Sequence, residues 1–159
     1  MKIAVYPGSF DPITNGHLDI VVRGAAIFDK LLVAVSRDNY KNSLFTAEER
    51  LEMVRESTKE IKNVEVMAFN GLLMNFCDEQ GVAVVIRGTR AVSDFEQEFQ
   101  MALMNRNLNQ KVDTLFLISS PEYLYLSSSI IKQVVSLKGD VSQLVPFEVN
   151  KALKAKYGL

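Results

Sequence analysis

The sequence predicts a doubly wound α/β fold, and three observations predict it. Five short apolar, β-branched runs recur at residues 3–6, 31–36, 64–69, 82–86 and 115–118. Each has the length and composition of a buried strand. Helical patterns stand between them, and strands joined through helices return to their sheet by right-handed crossovers, so they lie parallel. At 159 residues the chain fits one domain, and no repeat, low-complexity tract or Pro/Ser-rich linker divides it. The expectation is a single Rossmann-like domain over 1–159, with a five-stranded parallel sheet and a helical C-terminus.

The elements follow in order. After the first strand, residues 7–17 form a loop that feeds a helix whose Leu18, Val21, Val22, Ala25 and Phe28 share one face. Thr46 and Glu49 have the spacing of a capping box, in which hydroxyl and carboxylate satisfy opposing backbone donors, ahead of Leu51, Val54 and the aliphatic stem of Arg55. Cys77 falls in an apolar helix around Phe76. Ser93 and Glu96 mark a second capping box, opening a helix whose Phe95, Phe99, Ala102, Leu103 and Arg106 stem pack inward or against a partner. Hydroxyls at 127–129 open a helix that runs to 138, where Gly139 suits a left-handed cap. Pro146 opens or precedes the last helix.

Composition narrows the function. Net charge is −1 with acids and bases interspersed, so there is no basic tract for a nucleic-acid backbone. Cys77 has no partner for an internal disulfide. With His17 the only histidine, no Cys/His cluster has metal-ligand spacing, and no protein metal ligands are expected. No apolar run approaches the roughly 20 residues of a membrane span, and the apolar opening stops at Pro7. A protein of the reducing cytoplasm, off the membrane, is expected.

Ligands of open parallel sheets bind beyond the carboxyl ends of the strands, so the segments there are the places to search. Gly8 and Gly16 allow close backbone approach to an anion, Ser9 adds a hydroxyl to the same loop, and the helix start near Gly16 and His17 offers unpaired N–H groups. Lys41 follows the second strand and opens on the same sheet edge. Arg87 and Arg90 flank Gly88 and Thr89 after the fourth strand, and guanidinium forks match phosphate oxygens in pairs. Glu98 is placed to pair with Arg90. Ser127, Ser128 and Ser129 supply hydroxyl and N–H donors at a helix start, either as caps or for a triphosphate.

Gly16-His17 resembles the H-x-G-H signature of the nucleotidylyltransferases, with Thr14 in place of its first histidine. Four ordered motifs, YPGSFDPITNGH (6–17), FTAEER (45–50), IRGTRAVSDFEQE (86–98) and LSSSIIK (126–132), extend the likeness across nearly the whole chain. Together they resemble the bacterial phosphopantetheine adenylyltransferases. The resemblance implies an ATP site of Ser9, Phe10, His17, Gly88, Thr89, Arg90, Glu98, Tyr123, Leu124, Tyr125, Leu126, Ser127, Ser128 and Ser129. For the phosphopantetheine side it implies Ser9, Lys41, Leu73 and Arg87, with Mg²⁺ accompanying the ATP and a cytoplasmic homohexamer. Ser9 stands where threonine is commoner in the family, and Tyr123 where tryptophan is frequent.

The expected reaction is in-line attack by the acceptor's phosphate on the α-phosphorus of ATP, with His17, Lys41, Arg87 and Arg90 as the catalytic groups. The residues alone leave two other readings open. One is a different small-molecule nucleotidylyltransferase, for instance one acting on nicotinamide mononucleotide. The other is a nucleotide-sensing module without turnover.

Overall fold

The computed structural model describes residues 1–38 and 42–159, without the side chains of Val92 and Ser93. Five parallel strands, β1 (Ile3–Gly8), β2 (Lys30–Ser36), β3 (Val64–Phe69), β4 (Val84–Thr89) and β5 (Asp113–Ile118), form one sheet in the order β3-β2-β1-β4-β5. Six helices join and follow them: α1 (Asn15–Ile27), α2 (Ala47–Thr58), α3 (Leu73–Gln80), α4 (Val92–Leu108), α5 (Ser128–Ser136) and α6 (Phe147–Lys156).

Alternation along the strands sorts the core into two layers. Ala4 and Tyr6 of β1, Leu31, Val33 and Val35 of β2 and Ile86 of β4 pack with α1, α2, α5 and α6. Val5, Leu32, Ala34 and Val85 face the other way, against Met74, Phe76 and Cys77 of α3. The chain moves outward from β1 to β3 and then crosses back to β4 on the far side of β1. The strand order therefore reverses between β1 and β4, where a cleft opens at the carboxyl ends.

Several boundaries differ from the sequence reading. β4 begins at Val84 and runs through Arg87, Gly88 and Thr89, which are strand residues paired with Phe116, Leu117 and Ile118 of β5. Period-two geometry then puts Arg87 on the Val85 side of the sheet and Gly88 on the α1 side, where a Cβ at Gly88 would lie 3.1 Å from Ile20. In α1 the buried face is Ile20, Val21, Gly24 and Ala25, while Val22 is exposed. In α2, Arg50 is buried with Leu51, Val54 and Thr58, and Arg55 is exposed.

The Thr46–Glu49 capping box is present, with Glu49 N–H on the Thr46 hydroxyl at 3.2 Å and Thr46 N–H on the Glu49 carboxylate at 2.8 Å. The expected box at Ser93–Glu96 is not the start of α4. That helix opens at Val92 behind Ala91, which makes no side-chain cap bond. α5 ends in a Schellman motif, with Lys138 N–H on Val135 O at 2.8 Å and Gly139 N–H on Val134 O at 2.9 Å. The left-handed residue is Lys138 (φ 63°), not Gly139. Gly139 is required for closeness instead, since its Cβ would fall 2.5 Å from Val134 Cγ1. Pro146 directly precedes α6.

Candidate active site

The cleft at the strand-order reversal has a volume of about 240 Å³. β1 delivers Tyr6, Pro7 and Gly8, and the following loop delivers Ser9 and Phe10. α1 contributes Gly16, His17 and Ile20, β4 contributes Arg87 and Gly88, and Arg90 and Glu98 close one side. Tyr123, Leu126, Ser127 and Ser128 close the other.

His17 sits at the third position of α1, half-buried rather than exposed. Its Nδ1 accepts from the Thr14 backbone N–H at 3.0 Å, while the Thr14 hydroxyl accepts from the His17 N–H at 3.3 Å. With Nδ1 committed as an acceptor, a neutral ring carries its proton on Nε2. Burial, with Arg90 and Arg87 nearby, lowers the imidazole from 6.5 to about 4, so the neutral form prevails at pH 7. The edge of Phe10 packs on the ring at 5.2 Å between centroids. Phe10 is itself buried and left-handed (φ 48°), which fixes the loop against the core.

Arg87 and Glu98 form a fork: Nε donates to Oε2 and Nη2 to Oε1, each at 2.6 Å. The third guanidinium nitrogen, Nη1, donates to Pro7 O at 2.9 Å, fixing Arg87 across the β1–β4 gap. Glu98 was expected beside Arg90. Strand alternation explains the difference, because it sends Arg87 to the side of the sheet where α4 lies. Arg90 instead pairs with Asp94 at 3.0 Å and donates to Leu126 O at 2.8 Å, tying β4's exit to the segment ahead of α5. Arg87 and Glu98 also line a second, smaller cleft of about 100 Å³ with Leu73, Met101, Ala102, Asn105 and Thr114. The ion pair is thus the wall between two compartments.

At the N-terminus of α5, Ser127 caps the helix by accepting from Ile130 N–H at 3.2 Å, and the Ser128 hydroxyl donates to Pro12 O at 2.8 Å. Both serines hold the fold together and still line the cleft. Tyr123 packs over Gly16, its Cβ 3.4 Å from where a Cβ at Gly16 would lie.

Not every candidate reaches the cleft. Thr89 is buried at the end of β4, where its carbonyl accepts from Ser119 N–H at 2.9 Å. Leu124 and Tyr125 are exposed, and Ser129 lines a separate groove with Ser9, Asp11 and Lys132. Lys41 lies outside the described residues.

Sequence reading missed Tyr6, Asp11, Thr14 and Arg50. Burial raises the Tyr6 phenol to about 12, keeping a neutral hydroxyl at the cleft floor. The Thr14–His17 box escaped because such boxes are read with Glu or Gln at the third position. Among the described residues no group of three or more His, Cys, Asp or Glu could hold a metal, and no helix is long and apolar enough to cross a membrane.

Residues 5–134 match the cytidylyltransferase-like family. A phosphopantetheine adenylyltransferase of Geotalea daltonii is 55% identical over 99% of this chain and 98% of its own. One from Moorella thermoacetica is 53% identical over 99% of both chains. The crystal structure of the lipopolysaccharide core biosynthesis protein from Thermoplasma volcanium GSS1 superimposes with a TM-score of 0.54. It covers 76% of this chain and 97% of that one at 22% identity, a likeness of fold alone.

Proposed function

The chain belongs to the phosphopantetheine adenylyltransferases, nucleotidyltransferases of the cytidylyltransferase-like family, and from that premise we propose how its cleft performs the reaction. AMP passes from ATP to 4′-phosphopantetheine, giving dephospho-coenzyme A and pyrophosphate, a step of coenzyme A synthesis. The observation that carries this reading is the meeting of His17, Arg87, Arg90 and the N-terminus of α5 at one strand-order reversal.

An acceptor phosphate oxygen attacks the α-phosphorus in line as the bond to the pyrophosphate oxygen breaks. Neither reactant needs a protein nucleophile, so positioning and charge stabilisation are the enzyme's work. His17 Nε2–H donates to an α-phosphate oxygen as charge gathers there. Arg90 and the hydroxyls of Ser127 and Ser128 hold the β- and γ-phosphates, with Ser129 beside them on the neighbouring groove. Gly88 keeps the α1 side of β4 free of a side chain, and Phe10, Tyr123 and Leu126 bound the nucleotide. Thr89, Leu124 and Tyr125 support that wall from outside the cleft.

Arg87 is aimed by Glu98 and, with Ser9 and Lys41, receives the acceptor's phosphate, while Leu73 faces its pantetheine arm in the second compartment. The serine hydroxyls are hard oxygen donors and the Glu98 carboxylate is committed to Arg87, a set that fits Mg²⁺ carried by the triphosphate beside Ser127 and Ser128. Held there, Mg²⁺ would supply positive charge against the leaving pyrophosphate. The same reading takes residues 1–159 as one nucleotidylyltransferase domain, cytoplasmic and assembled as a homohexamer, with no nucleic-acid or membrane partner.

Incubation with ATP, Mg²⁺ and a panel of phosphorylated acceptors tests the reading. Dephospho-coenzyme A and pyrophosphate are expected from 4′-phosphopantetheine. Transfer to nicotinamide mononucleotide in its place, or no pyrophosphate, overturns it.

A further inference from the structure

Arg50 is among the largest fully buried side chains of the protein, 1% exposed, on the inner face of α2. Burying a guanidinium is costly unless its donors are used. One nitrogen, Nη1, is used twice: it donates to Ser9 O at 2.6 Å and to Ser36 O at 2.8 Å. Ser9 begins the loop after β1 and Ser36 ends β2, so a single atom from α2 binds the carboxyl ends of two adjacent strands. Nε and Nη2 have no hydrogen-bond partner among the described residues, so the cost of burial is offset chiefly through that one bridge.

Asp11, 5% exposed, makes a second bridge between the same segments. Its carboxylate accepts from Phe45 N–H at 2.9 Å, from Leu44 N–H at 3.0 Å and from Lys132 Nζ of α5 at 2.7 Å. Ser36 at the end of β2 and Leu44 and Phe45 ahead of α2 are therefore both tied to the loop that follows β1. Arg50 acts at Ser36 and Asp11 at Leu44 and Phe45. Neither bridge touches Arg90 or Gly88.

We infer that Arg50 and Asp11 are positioning residues that hold the Ser9 loop against the end of β2 at Ser36 and against Leu44 and Phe45 ahead of α2, and so align the acceptor phosphate with ATP. The inference rests on the adenylyltransferase reading above. The two bridges act at the Ser9 loop on the acceptor side of the cleft; of ATP's anchors on β4, α1 and α5 only α5 is touched, through Lys132, which does not line the main cleft.

The test measures kcat and each KM for Arg50→Met and Arg50→Lys, with thermal melting alongside. A misaligned acceptor lowers rate far more than binding of the other substrate, so Arg50→Met is expected to raise the acceptor KM about 10-fold, lower kcat similarly and leave the ATP KM within about 3-fold. Arg50→Lys is expected to return to within about 3-fold of the parent, because one ammonium nitrogen can serve both carbonyls and the change loses only the two unpartnered nitrogens, Nε and Nη2. Equal damage to both substrates, no rescue by lysine, or a lowered melting temperature with unchanged constants overturns the role. If Arg50→Met does not fold, Asp11→Asn reads the same junction and must show the same split between substrates. Failure of the parent protein to make dephospho-coenzyme A would defeat the underlying reading, whereas normal parent turnover with no split defeats the positioning role alone.

Discussion

Thr14 and His17 cap one another: the Thr14 hydroxyl accepts from the His17 backbone N–H at 3.3 Å, and His17 Nδ1 accepts from the Thr14 N–H at 3.0 Å. The bond to Nδ1 exists only while that nitrogen is unprotonated. A helix start has thereby fixed both the tautomer and the charge of the imidazole that faces the cleft.

Because His17 is the only histidine, its ring signals in NMR are unambiguous. They are expected to titrate with a midpoint near 4, displaced from 6.5 by burial and then by Arg90 and Arg87. Between those two values the unfolded chain binds the proton and the folded chain does not. Stability therefore falls as pH drops from 6.5 toward 4. His17→Asn, whose side-chain oxygen can still accept from Thr14, should lack that increment in urea melts across the same window. A ring midpoint near 6.5 would refute the assigned environment.

Replacing His17 by Ala removes the acceptor for Thr14 N–H and the donor at the cleft. Loss of one such bond costs about 1 kcal/mol of stability, a modest drop in urea midpoint. Loss of a transition-state donor costs roughly 100- to 1000-fold in turnover. Initial rates beside circular dichroism check both, and near-normal turnover in a folded variant would exclude His17 from catalysis.

The fork between Arg87 and Glu98 leads to an order of effects. Arg87→Ala should damage acceptor binding more than ATP binding. Glu98→Gln should act in the same direction but more weakly, since it keeps one acceptor for Arg87 while losing the paired charge. Titration calorimetry with each ligand separately gives the comparison. If both variants bound phosphopantetheine normally and lost ATP, the division of the site would be reversed.

The end of α5 offers a test independent of activity. Lys138 occupies a left-handed position that costs a non-glycine residue about 1 kcal/mol, so Lys138→Gly should raise the melting temperature. Gly139→Ala should lower it by an amount equivalent to about 1–3 kcal/mol, because the new Cβ meets Val134 Cγ1 at 2.5 Å. Differential scanning calorimetry of the two variants is sufficient, and equal effects of either sign would contradict this geometry.

The strands were legible because apolar β-branched runs survive any tertiary arrangement. Their ends were less so: Arg87, Gly88 and Thr89 read as a loop, yet pairing with β5 extends β4 through them. That extension decides which face Arg87 takes, and with it the partner of Glu98, which spacing along the chain could not supply. Arg50 was read past for a related reason. A charged residue between Glu49 and Leu51 reads as solvated, and only the meeting of the ends of β1 and β2 gives it two carbonyls to bind. The glycine at 139 carried the right signal of a helix end, displaced by one residue from where the backbone turns left-handed.

The last expectation concerns assembly. α4 exposes Phe95, Phe99, Met101, Leu103, Met104 and Leu108, each between 43% and 58% accessible, and Ile118 at the end of β5 is 73% accessible. Phe95 and Phe99 stack on one another at 5.9 Å, and Phe95 meets Phe116 edge-on at 5.1 Å, so the face is ordered by its own contacts while its outer surface stays open. Contiguous apolar surface of this kind is uncommon on a monomer in water and marks an interface. A homo-oligomer that buries α4 is therefore expected, and light scattering over a dilution series should give a mass several times that of one chain. Leu103→Glu, a change at an exposed position that leaves the monomer core untouched, should shift the distribution to smaller species while circular dichroism stays constant. A clean monomer at all concentrations, or a multimer indifferent to Leu103→Glu, would show that α4 is not the contact.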